Sequence, residues 1–391
     1  MGVSCPKRSI DSHRSPYQPS SWLVYSASAL LRRWFLYAAD RLASPPRLIF
    51  EKSLGFAQTQ VIDAIKRTGV IEALASGPRT AEELAQELGL QLDPLYRVLR
   101  AAVNINMLGV ERGPTPRFHN TELSSLLLDS NPKSPWPMIQ WVVDDWYGAY
   151  AELGWVVKTG GDAFRKTHDG KALWEVLQED PKREADFSRA MSATDDMFAF
   201  EAVVRDYPWR RYGRFCDIGG AYGSLLARLL RQCGKADGVL FDQPQVIQRA
   251  RKAWGEEADK VDLRTRAEFV EGDFFMSETL PKPRAGDAWV LRHILHDWND
   301  EDAARILAAL RRAIGATPVT LCIVEFTFLD EFSDPDVASK IGADLSVLMC
   351  QTHGRERTRR EYEKLFAGAG FSLKRTVRTR GPLCVTEAVP I

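Results

Sequence analysis

The sequence predicts an α/β protein in which a helical N-terminal half precedes a C-terminal half built on a mostly parallel β-sheet. Apolar residues recur at helical spacing through the first half of the 391-residue chain. From Arg214 onward, short apolar strands alternate with amphipathic helices, a pattern typical of a parallel sheet covered by helices on both faces. We divide the chain into a tail and first helix over residues 1–46, a winged-helix-like domain over 47–135, a helical segment over 136–209 and the sheet domain over 210–391.

The composition is that of an ordinary globular protein. The chain has 52 basic and 52 acidic side chains, and 45% of its residues are hydrophobic. This composition excludes collagen-like, disulfide-scaffold and wholly disordered proteins. Binding to the phosphates of a nucleic acid usually requires an excess of basic residues, so no nucleic-acid partner is predicted. The six cysteines form no CxxC pair and are expected to be reduced, buried thiols.

The N-terminal tail allows several interpretations. Residues 15–31 carry no charge, but prolines and serines interrupt the run, which is too short and too polar to cross a bilayer. We therefore expect no membrane partner. Residues 1–47 hold seven basic and two acidic side chains, so an organelle transit peptide and a dimer arm stand beside a frayed tail as alternatives. Without a transit peptide, the expected location is cytoplasmic.

The next part of the chain has the pattern of a winged helix. The predicted elements are a first helix over Ser26–Leu42, a second over Ile49–Ile65, a third that opens with the capping box Thr80 and Glu83 and ends at Gly89, a fourth over Asp93–Met107, and a β-wing over Val110–Phe118.

A winged helix allows two functions, DNA binding by a regulator or dimerisation. The helix that would read DNA, Asp93–Met107, carries only Arg97 and Arg100 as basic residues, which is few for contacts to a phosphate backbone. We therefore favour a dimerisation module. The apolar N-terminal helices are difficult to bury in one protomer, so a homodimer with intertwined N-terminal segments is expected.

Residues 136–209 are rich in aromatic side chains. Five of the chain's 11 tryptophans fall within 39 residues, together with aromatic and methionine residues that include Phe187 and Met191. Such a stripe is most often core, but its density also suits a pocket for a planar apolar ligand.

Seven strands are predicted in the sheet domain. Five belong to the alternating pattern and two to a closing hairpin: Arg214–Gly219, Gly238–Asp242, Ala267–Asp273, Ala288–Arg292, Val319–Phe326, Phe371–Arg378 and Leu383–Pro390. The first strand runs into a glycine turn that ends at Gly223 and opens a helix. This turn lets a ligand approach the backbone, although many nucleotide-binding folds share it and a tight turn without ligand is the alternative.

Acidic residues end three successive strands, at Asp217, Asp242 and Asp273. A carboxylate at Asp242 can accept ribose hydroxyl groups, and one at Asp273 can accept an adenine amino hydrogen while Phe274 stacks on the ring. Asp217 can contact an ammonium group. Three carboxylates suit a cationic adenosyl ligand better than a pyrophosphate, which predicts S-adenosylmethionine. For Asp242 and Asp273 singly, a helix N-cap is the alternative.

His296 follows the fourth strand and is the predicted general base. A hydroxyl is a poor nucleophile until its proton leaves, and histidine accepts a proton near neutral pH. A carboxylate from elsewhere must hold its other ring nitrogen, and Glu325 and Glu356 are the two candidates. His293, three residues before His296, suggests a metal pair, but no cysteine or third histidine lies nearby, so no metal site is predicted.

These motifs, in this order, resemble the small-molecule O-methyltransferases of the plant caffeic-acid or hydroxyindole type, from about Arg47 onward. The segments that carry the resemblance are Asp217–Gly223, Phe241–Ile247, Glu271–Phe275, Ile294–Asp300 and Gly354–Thr358. The resemblance implies a Rossmann-like class I methyltransferase domain behind a helical dimerisation domain.

The resemblance also implies residue roles. It gives His296 as the base flanked by Asp297, Glu325 and Glu356, cofactor contacts at Gly219, Asp242, Asp273, Phe274 and Arg292, and an acceptor pocket at Phe187, Met191 and Gln351. Two departures stand out. Ala221 replaces the third glycine of the family's triplet, and Arg292 replaces the usual lysine, whose compact ammonium a guanidinium does not reproduce.

The function expected from these observations is methyl transfer from S-adenosylmethionine to a hydroxyl of a small aromatic or polyketide-like metabolite. One alternative keeps the fold but replaces methyl transfer by decarboxylation, hydroxylation or pericyclic chemistry, as relatives in this family have done. Another is a winged-helix regulator that senses a metabolite. Retention of His296 favours methyl transfer.

Overall fold

The computed structural model of the protein describes residues 21–197, 200–256, 260–350 and 354–391. The predicted acceptor residue Gln351 and the first 20 residues of the predicted tail lie outside these ranges. Within them, none of the helices combines the length and the apolar character that a bilayer crossing requires.

The N-terminal part is helical and ends in a small hairpin. Its elements are α1 (Trp22–Asp40), α2 (Pro45–Ser53), α3 (Gly55–Arg67), α4 (Val70–Ala73), α5 (Ala81–Leu88), α6 (Leu92–Asn104), β1 (Leu108–Glu111), β2 (Arg117–Asn120) and α7 (Glu122–Ser125). The single helix predicted over Ile49–Ile65 is wrong. Leu54 leaves helical geometry at ψ 6°, and the next helix starts at Gly55, a residue that stabilises a helix interior poorly.

The capping box and the wing are confirmed. The backbone N–H of Glu83 donates to Thr80 Oγ1 at 3.2 Å, and Glu83 Oε2 accepts from the N–H of Thr80 at 2.8 Å. Strands β1 and β2 pair antiparallel, with Leu108 opposite Asn120. Helices α3 to α6 and this hairpin share one apolar core.

The aromatic segment is helical, as predicted. Its elements are α8 (Trp136–Trp141), a π-helical turn (Val142–Trp146), α9 (Tyr147–Tyr150), α10 (Leu153–Thr159), α11 (Ala163–Thr167), α12 (Leu173–Glu179), α13 (Pro181–Met197) and α14 (Phe200–Asp206). Helices α8 to α13 form a separate apolar cluster, which also takes in Met349 and Cys350 from a later helix.

The sheet domain contains β3 (Arg214–Ile218), α15 (Ser224–Gln232), β4 (Asp237–Asp242), α16 (Pro244–Glu256), β5 (Ala267–Glu271), β6 (Ala288–Arg292), α17 (Asp300–Ile314), β7 (Thr320–Glu325), α18 (Val337–Cys350), α19 (Arg359–Gly368), β8 (Phe371–Thr379) and β9 (Gly381–Pro390). The order in the seven-stranded sheet is β5-β4-β3-β6-β7-β9-β8. All pairs are parallel except β7 with β9 and β8 with β9.

The sheet is buried by helices on both faces, which explains why its strands are continuous apolar runs. One core includes Trp209, Leu226 and Trp254, and the other includes Leu307, Tyr362 and Phe366. The order in which strands are added to the sheet reverses at β3: β4 and β5 lie on one side of it, and β6 and β7 lie on the other. In open α/β sheets, ligands bind at the carboxyl edge at such a reversal.

Candidate active site

The turn after β3 requires a residue without a Cβ at position 219. Gly219 has φ +72°, a left-handed conformation that favours glycine, and its N–H donates to Phe241 O at 2.8 Å. A Cβ on Gly219 would lie 2.5 Å from Ile294 Cδ1, closer than packed atoms allow. The turn then opens α15, whose first N–H groups face this edge of the sheet.

Asp217 lies beneath the turn and is 2% exposed. Its Oδ2 has no hydrogen-bond donor within the described part of the chain. Burial raises the pKa of this carboxyl to about 7, although the positive charge of Arg292 opposes that rise. The unpaired oxygen is a buried acceptor next to the glycine turn, which is where the sequence predicted a contact with an ammonium group.

Asp242 is the last residue of β4, and Asp273 follows the end of the neighbouring strand β5 by two residues. Asp242 Oδ2 accepts from the N–H of Ala221 at 2.9 Å and Oδ1 accepts from Gln243 at 2.7 Å, so this carboxylate braces the glycine turn. Burial raises the pKa of Asp242. Asp273 is exposed, and its Oδ1 accepts from the N–H of Phe275. Each carboxylate retains lone pairs for a ligand.

Phe274 and Arg292 border the same space. The Phe274 ring is half-buried, and its edge lies 3.7 Å from the position of a Cβ on Gly219. The Arg292 guanidinium lies 4.4 Å from the centre of the Phe200 ring, and its Nη2 donates to Ser224 Oγ at 3.3 Å. Arg292 thus reaches from β6 to the first turn of α15, a span available to its long side chain.

His296 lies in a single 3₁₀ turn, Leu295–Asp297, after β6. Its Nδ1 is 2.7 Å from Glu356 Oε1, and its Nε2 is 3.3 Å from Asp297 Oδ1. Because an ionised carboxylate only accepts hydrogen bonds, Nδ1 carries a proton toward Glu356, and Nε2 is the nitrogen that accepts a proton once the ring is neutral.

Electrostatics at His296 favour its charged form. Burial alone lowers the pKa of the imidazole, but the carboxylates of Asp297 and Glu356 outweigh that effect and raise it to about 10. Burial also raises the pKa of Asp297 to about 6 and that of Glu356 to about 7. The imidazole is therefore a stronger proton acceptor than free histidine.

Of the two glutamates predicted to hold the imidazole, Glu356 is hydrogen-bonded to the ring and Glu325 to the backbone of the same turn. Glu325 Oε1 accepts three backbone N–H groups, from Ile294, Leu295 and His296, at 3.1, 2.8 and 3.3 Å. Its Oε2 accepts from the hydroxyl of Tyr362. Glu325 therefore holds the backbone of the histidine turn.

Arg357 holds the same turn by its carbonyl groups. It is fully buried, and it donates to Leu295 O at 2.6 Å and Trp298 O at 2.7 Å. Sequence reasoning missed Arg357 and Tyr362. Arg357 lies inside the motif Gly354–Thr358, which was the available signal, but nothing in the spacing shows that its charge is buried.

His293 is a further residue of this turn. Its backbone is left-handed, with φ +53°, and its ring centre lies 5.0 Å from that of His296. Burial holds the pKa of His293 well below its usual value, so it stays neutral. It adds no second positive charge beside His296.

Phe187 and Met191 lie on α13, which is tied to the glycine turn. Glu184, on the same helix, accepts from Tyr222 Oη at 3.4 Å and pairs with Arg249 at 2.6 Å. Phe187 packs edge-on against Trp141 with ring centres 5.2 Å apart. The aromatic segment and the glycine turn are therefore neighbours.

Helix α18 connects the aromatic segment with the histidine. Asp344 Oδ1 accepts from the N–H of Glu356 at 2.9 Å, and Ser346 Oγ lies 2.8 Å from Tyr150 Oη. A pocket between α13, α18 and His296 would be bounded by aromatic side chains on one side and by the imidazole on the other.

A glycine turn at the reversal of a parallel sheet, three acidic residues along its edge and a buried imidazole above it define a methyltransferase-type site. The chain matches a family model described as the O-methyltransferase domain over residues 150–372, and an O-methyltransferase dimerisation domain over residues 50–130. The chain belongs to the O-methyltransferase family.

Three similar proteins illustrate this relationship. Phenazine O-methyltransferase PhzM of Lysobacter antibioticus is 33% identical over 88% of this chain and 96% of its own. The 8-amino-8-demethylriboflavin N,N-dimethyltransferase of Streptomyces davaonensis is 32% identical over 80% of this chain and 86% of its own. The O-methyltransferase NcsB1 of neocarzinostatin biosynthesis, solved with S-adenosylmethionine and 2-hydroxy-5-methyl naphthoic acid, is 25% identical with a TM-score of 0.68, covering 86% and 96% of the two chains.

The predicted fold class, enzyme class and cofactor are confirmed. The protein is an S-adenosylmethionine-dependent O-methyltransferase with an N-terminal dimerisation domain and a mostly parallel seven-stranded sheet. The residues at the glycine turn fit this cofactor, because a buried carboxylate oxygen of Asp217 that has no donor within the described part of the chain lies next to a turn whose backbone is bare at Gly219. Nothing in the comparisons favours a regulator or a non-methylating enzyme.

Replacing Ala221 by glycine should stabilise the protein. Ala221 has φ +49°, a conformation that costs a residue with a Cβ about 1 kcal/mol or more. We expect Ala221→Gly to raise the free energy of unfolding by about 1 kcal/mol, measured by denaturant titration. The matched control is Ala227→Gly inside α15, which should lower it by about 1 kcal/mol or more. A loss of stability in Ala221→Gly would contradict the assignment of strain to this turn.

Proposed function

We propose that the enzyme methylates a phenolic hydroxyl of a small aromatic or polyketide-type metabolite, with His296 as general base. The observation that carries this proposal is the His296–Glu356 pair below the aromatic helices. The carboxylates around His296 raise its pKa and so strengthen it as a base, and a phenol, with a pKa of about 10, releases its proton far more readily than an aliphatic alcohol. An aliphatic alcohol is far less acidic and would match this base poorly.

The relatives support an aromatic acceptor. The name of one refers to a phenazine, and another structure holds a hydroxylated naphthoic acid. A third relative is an N,N-dimethyltransferase, so aromatic amines belong in any acceptor screen. A neutral amine needs no proton removed before attack, and the buried base therefore favours a hydroxyl in this chain.

In the proposed reaction, His296 Nε2 accepts the hydroxyl proton while Glu356 stabilises the resulting imidazolium. Bound S-adenosylmethionine supplies the activated methyl group. Asp297, at 3.3 Å from Nε2, must yield its place to the acceptor hydroxyl. Glu325 acts on the backbone of the turn, so we assign it positioning rather than proton transfer. Acceleration comes from aligning the acceptor oxygen with the methyl carbon at about 3–3.5 Å and from this proton transfer.

The remaining predicted site residues have complementary proposed roles. Asp242 would accept the ribose hydroxyls, Asp273 the adenine amino group, and Phe274 would stack on the base; Gly219, Asp217 and Arg292 would border the methionine end of the cofactor. Phe187 and Met191 would pack against the acceptor ring. The cofactor assignments are supported by the common position of these residues at one edge of the sheet. The acceptor assignments are supported by the position of Phe187 and Met191 on α13.

Incubation with labelled S-adenosylmethionine and a panel of phenols and anilines tests the function. We expect a methylated phenol, identified by mass, together with S-adenosylhomocysteine. His296→Asn should lower the rate about 10²–10⁴-fold, because a positioned base contributes that much. Calorimetry should show unchanged affinity for S-adenosylhomocysteine, which serves as the folding control. Normal turnover by His296→Asn would show that the base is another group.

The pH dependence of kcat/KM should report His296. Because the pKa of His296 is raised toward about 10, the free enzyme holds this proton at neutral pH and activity should rise with pH well above pH 6.5. Glu356→Gln keeps an acceptor for Nδ1–H but removes a negative charge, so the rising limb should move to lower pH. Glu363→Gln, exposed on α19, is the control. If the rising limb of the kcat/KM profile lies at the same pH in Glu356→Gln as in the wild type, Glu356 is not the group that sets the pKa of His296.

We further propose that the enzyme is a homodimer through its N-terminal helices. Apolar side chains on α1 to α3 are exposed in the single chain, among them Leu31, Trp34, Phe35, Phe50 and Phe56. So many exposed large apolar side chains on neighbouring helices of the sequence are typical of a protein interface, and the matched dimerisation domain includes α3.

Light scattering should give twice the chain mass of 44.0 kDa. Phe50→Glu should shift the equilibrium toward monomer, because it places a charge in the apolar interface. Val261→Glu, at another exposed apolar site in the sheet domain, should leave the dimer intact. A monomeric wild-type protein at micromolar concentration would refute the proposal.

A further inference from the structure

Tyr362 places a hydroxyl inside the apolar core on one face of the sheet. It is the fourth residue of α19 and is fully buried, in the cluster that also contains Leu295 of the histidine turn. Its ring stacks on that of Phe366 with ring centres 5.6 Å apart. A phenylalanine would fill this space without burying a polar atom, which is destabilising unless that atom is hydrogen-bonded. The hydroxyl therefore requires an explanation.

The hydroxyl of Tyr362 donates a hydrogen bond to Glu325 Oε2. Glu325 is also fully buried, and its Oε1 accepts the backbone N–H groups of Ile294, Leu295 and His296. Four donors thus converge on one carboxylate, and hydrogen bonds to the charged form of a carboxyl group favour that form. Burial, followed by the charge of Glu325, raises the pKa of Tyr362 well above its usual value, so Tyr362 keeps its proton and remains a donor.

Backbone hydrogen bonds join the segments that carry these two residues. Three residues beyond Glu325, the N–H of Phe328 donates to Arg357 O at 3.1 Å, and the N–H of Arg359 donates to Phe328 O at 2.8 Å. Arg359 is the first residue of α19. The loop after β7 and the start of α19 therefore lie side by side, and Tyr362 reaches Glu325 from the first turn of that helix.

The negative charge of Glu325 acts on the titration of His296. Burial lowers the pKa of the imidazole, and the carboxylates of Asp297, Glu356 and Glu325 more than offset the effect of burial. Asp297 and Glu356 contact the ring itself, whereas Glu325 contacts the backbone of the turn. The ionised form of Glu325 therefore makes His296 a stronger proton acceptor.

The other titratable and charged groups around the histidine turn have different contacts. His293 stays neutral because burial lowers its pKa. Asp344 of α18 accepts from the N–H of Glu356. The remaining charged groups form ion pairs with one another: Arg355, Arg357, Asp300 and Glu361. Tyr362 is the side-chain donor to Glu325.

We propose that Tyr362 is a positioning residue for the general base. Its hydroxyl keeps Glu325 ionised and aligned with the N–H groups of the histidine turn, and Glu325 keeps His296 in place with a negative charge beside it. The inference rests on the proposed function, because it concerns His296 as the base. Its effect on the free enzyme is a change in the proton affinity of one imidazole, which can be measured without turnover.

Nuclear magnetic resonance of histidine-labelled enzyme tests the inference. The chain has six histidines, so their titrations can be followed singly, and His296→Asn identifies the curve of His296. We expect a wild-type midpoint well above 6.5, the usual value.

Tyr362→Phe keeps the ring but leaves Glu325 Oε2 without a donor in an apolar core, which favours the neutral carboxyl group. The midpoint of His296 should then fall by about 0.5–1 pH unit, the size expected from loss of one partly screened charge nearby. The rising limb of the kcat/KM profile should move in the same direction. A hydroxyl that only stabilised the fold would leave both unmoved.

Two further variants distinguish positioning from a general loss of stability. Tyr207→Phe is the matched control, because Tyr207 is 1% exposed and its hydroxyl lies 3.0 Å from Tyr212 Oη in the core on the opposite face of the sheet. It should lower the free energy of unfolding but leave the midpoint of His296 unmoved. Glu325→Gln removes the charge itself, so it should lower the midpoint, and adding Tyr362→Phe to it should lower the midpoint no further.

An unchanged midpoint of His296 in Tyr362→Phe would overturn the inference, and so would a fall of the same size in Tyr207→Phe. A wild-type midpoint at or below 6.5 would also overturn it. If Tyr362→Phe alone does not fold, the double variant decides. Its folding would support the inference, because the hydroxyl is then needed only beside a charged Glu325, and its failure to fold would overturn it.

The proposed function is judged separately from this inference. Methyl transfer to a phenol with an unmoved midpoint of His296 in Tyr362→Phe refutes only the inference. A lowered midpoint in an enzyme that methylates no phenol refutes only the function.

Discussion

The hydrogen bond between His296 Nδ1 and the buried carboxylate of Glu356 is the contact on which the rest of the site depends. Its two ends are held independently. Glu325 and Arg357 hold the backbone of the histidine turn, by its N–H groups and its carbonyls, and Asp344 of α18 holds the backbone of Glu356. One distance of 2.7 Å is therefore determined by β7, α18 and the loop before α19 together.

This arrangement buries several charges, most of which are paired, although Glu356 Oε2 and His293 Nδ1 have no hydrogen-bond partner among the described residues. Arg357 is fully buried yet finds two carbonyl oxygens and the carboxylate of Asp300 at 2.9 Å. Removing one member would leave another charge buried without a partner, an effect that costs about 3–5 kcal/mol in comparable pairs. The mutual dependence explains why a loop after a strand can hold an imidazole in one orientation.

Much of this architecture follows from sequence alone, because it depends on local patterns. Alternating strands and helices, the turn at Gly219 and the histidine after β6 are all local features. The contact of His296 with Glu356 rather than with Glu325 and the role of Arg357 are not. They depend on how segments about 30 to 60 residues apart meet, and pairing across such a separation is set by tertiary packing. The π turn escaped notice because a single extra residue in a helix leaves the apolar spacing nearly unchanged.

Helix α18 contacts both the imidazole region and the aromatic helices. Asp344 accepts a hydrogen bond from the backbone of Glu356, and Ser346 is hydrogen-bonded to Tyr150. The residues that support the imidazole come from the sheet domain, to which α18 belongs, whereas most of the aromatic cluster comes from α8 to α13. In the proposed reaction, substrate choice would depend mainly on the aromatic helices and proton removal on the sheet domain. A lineage of such enzymes can acquire new acceptors by changes within the aromatic stretch while its chemistry stays intact.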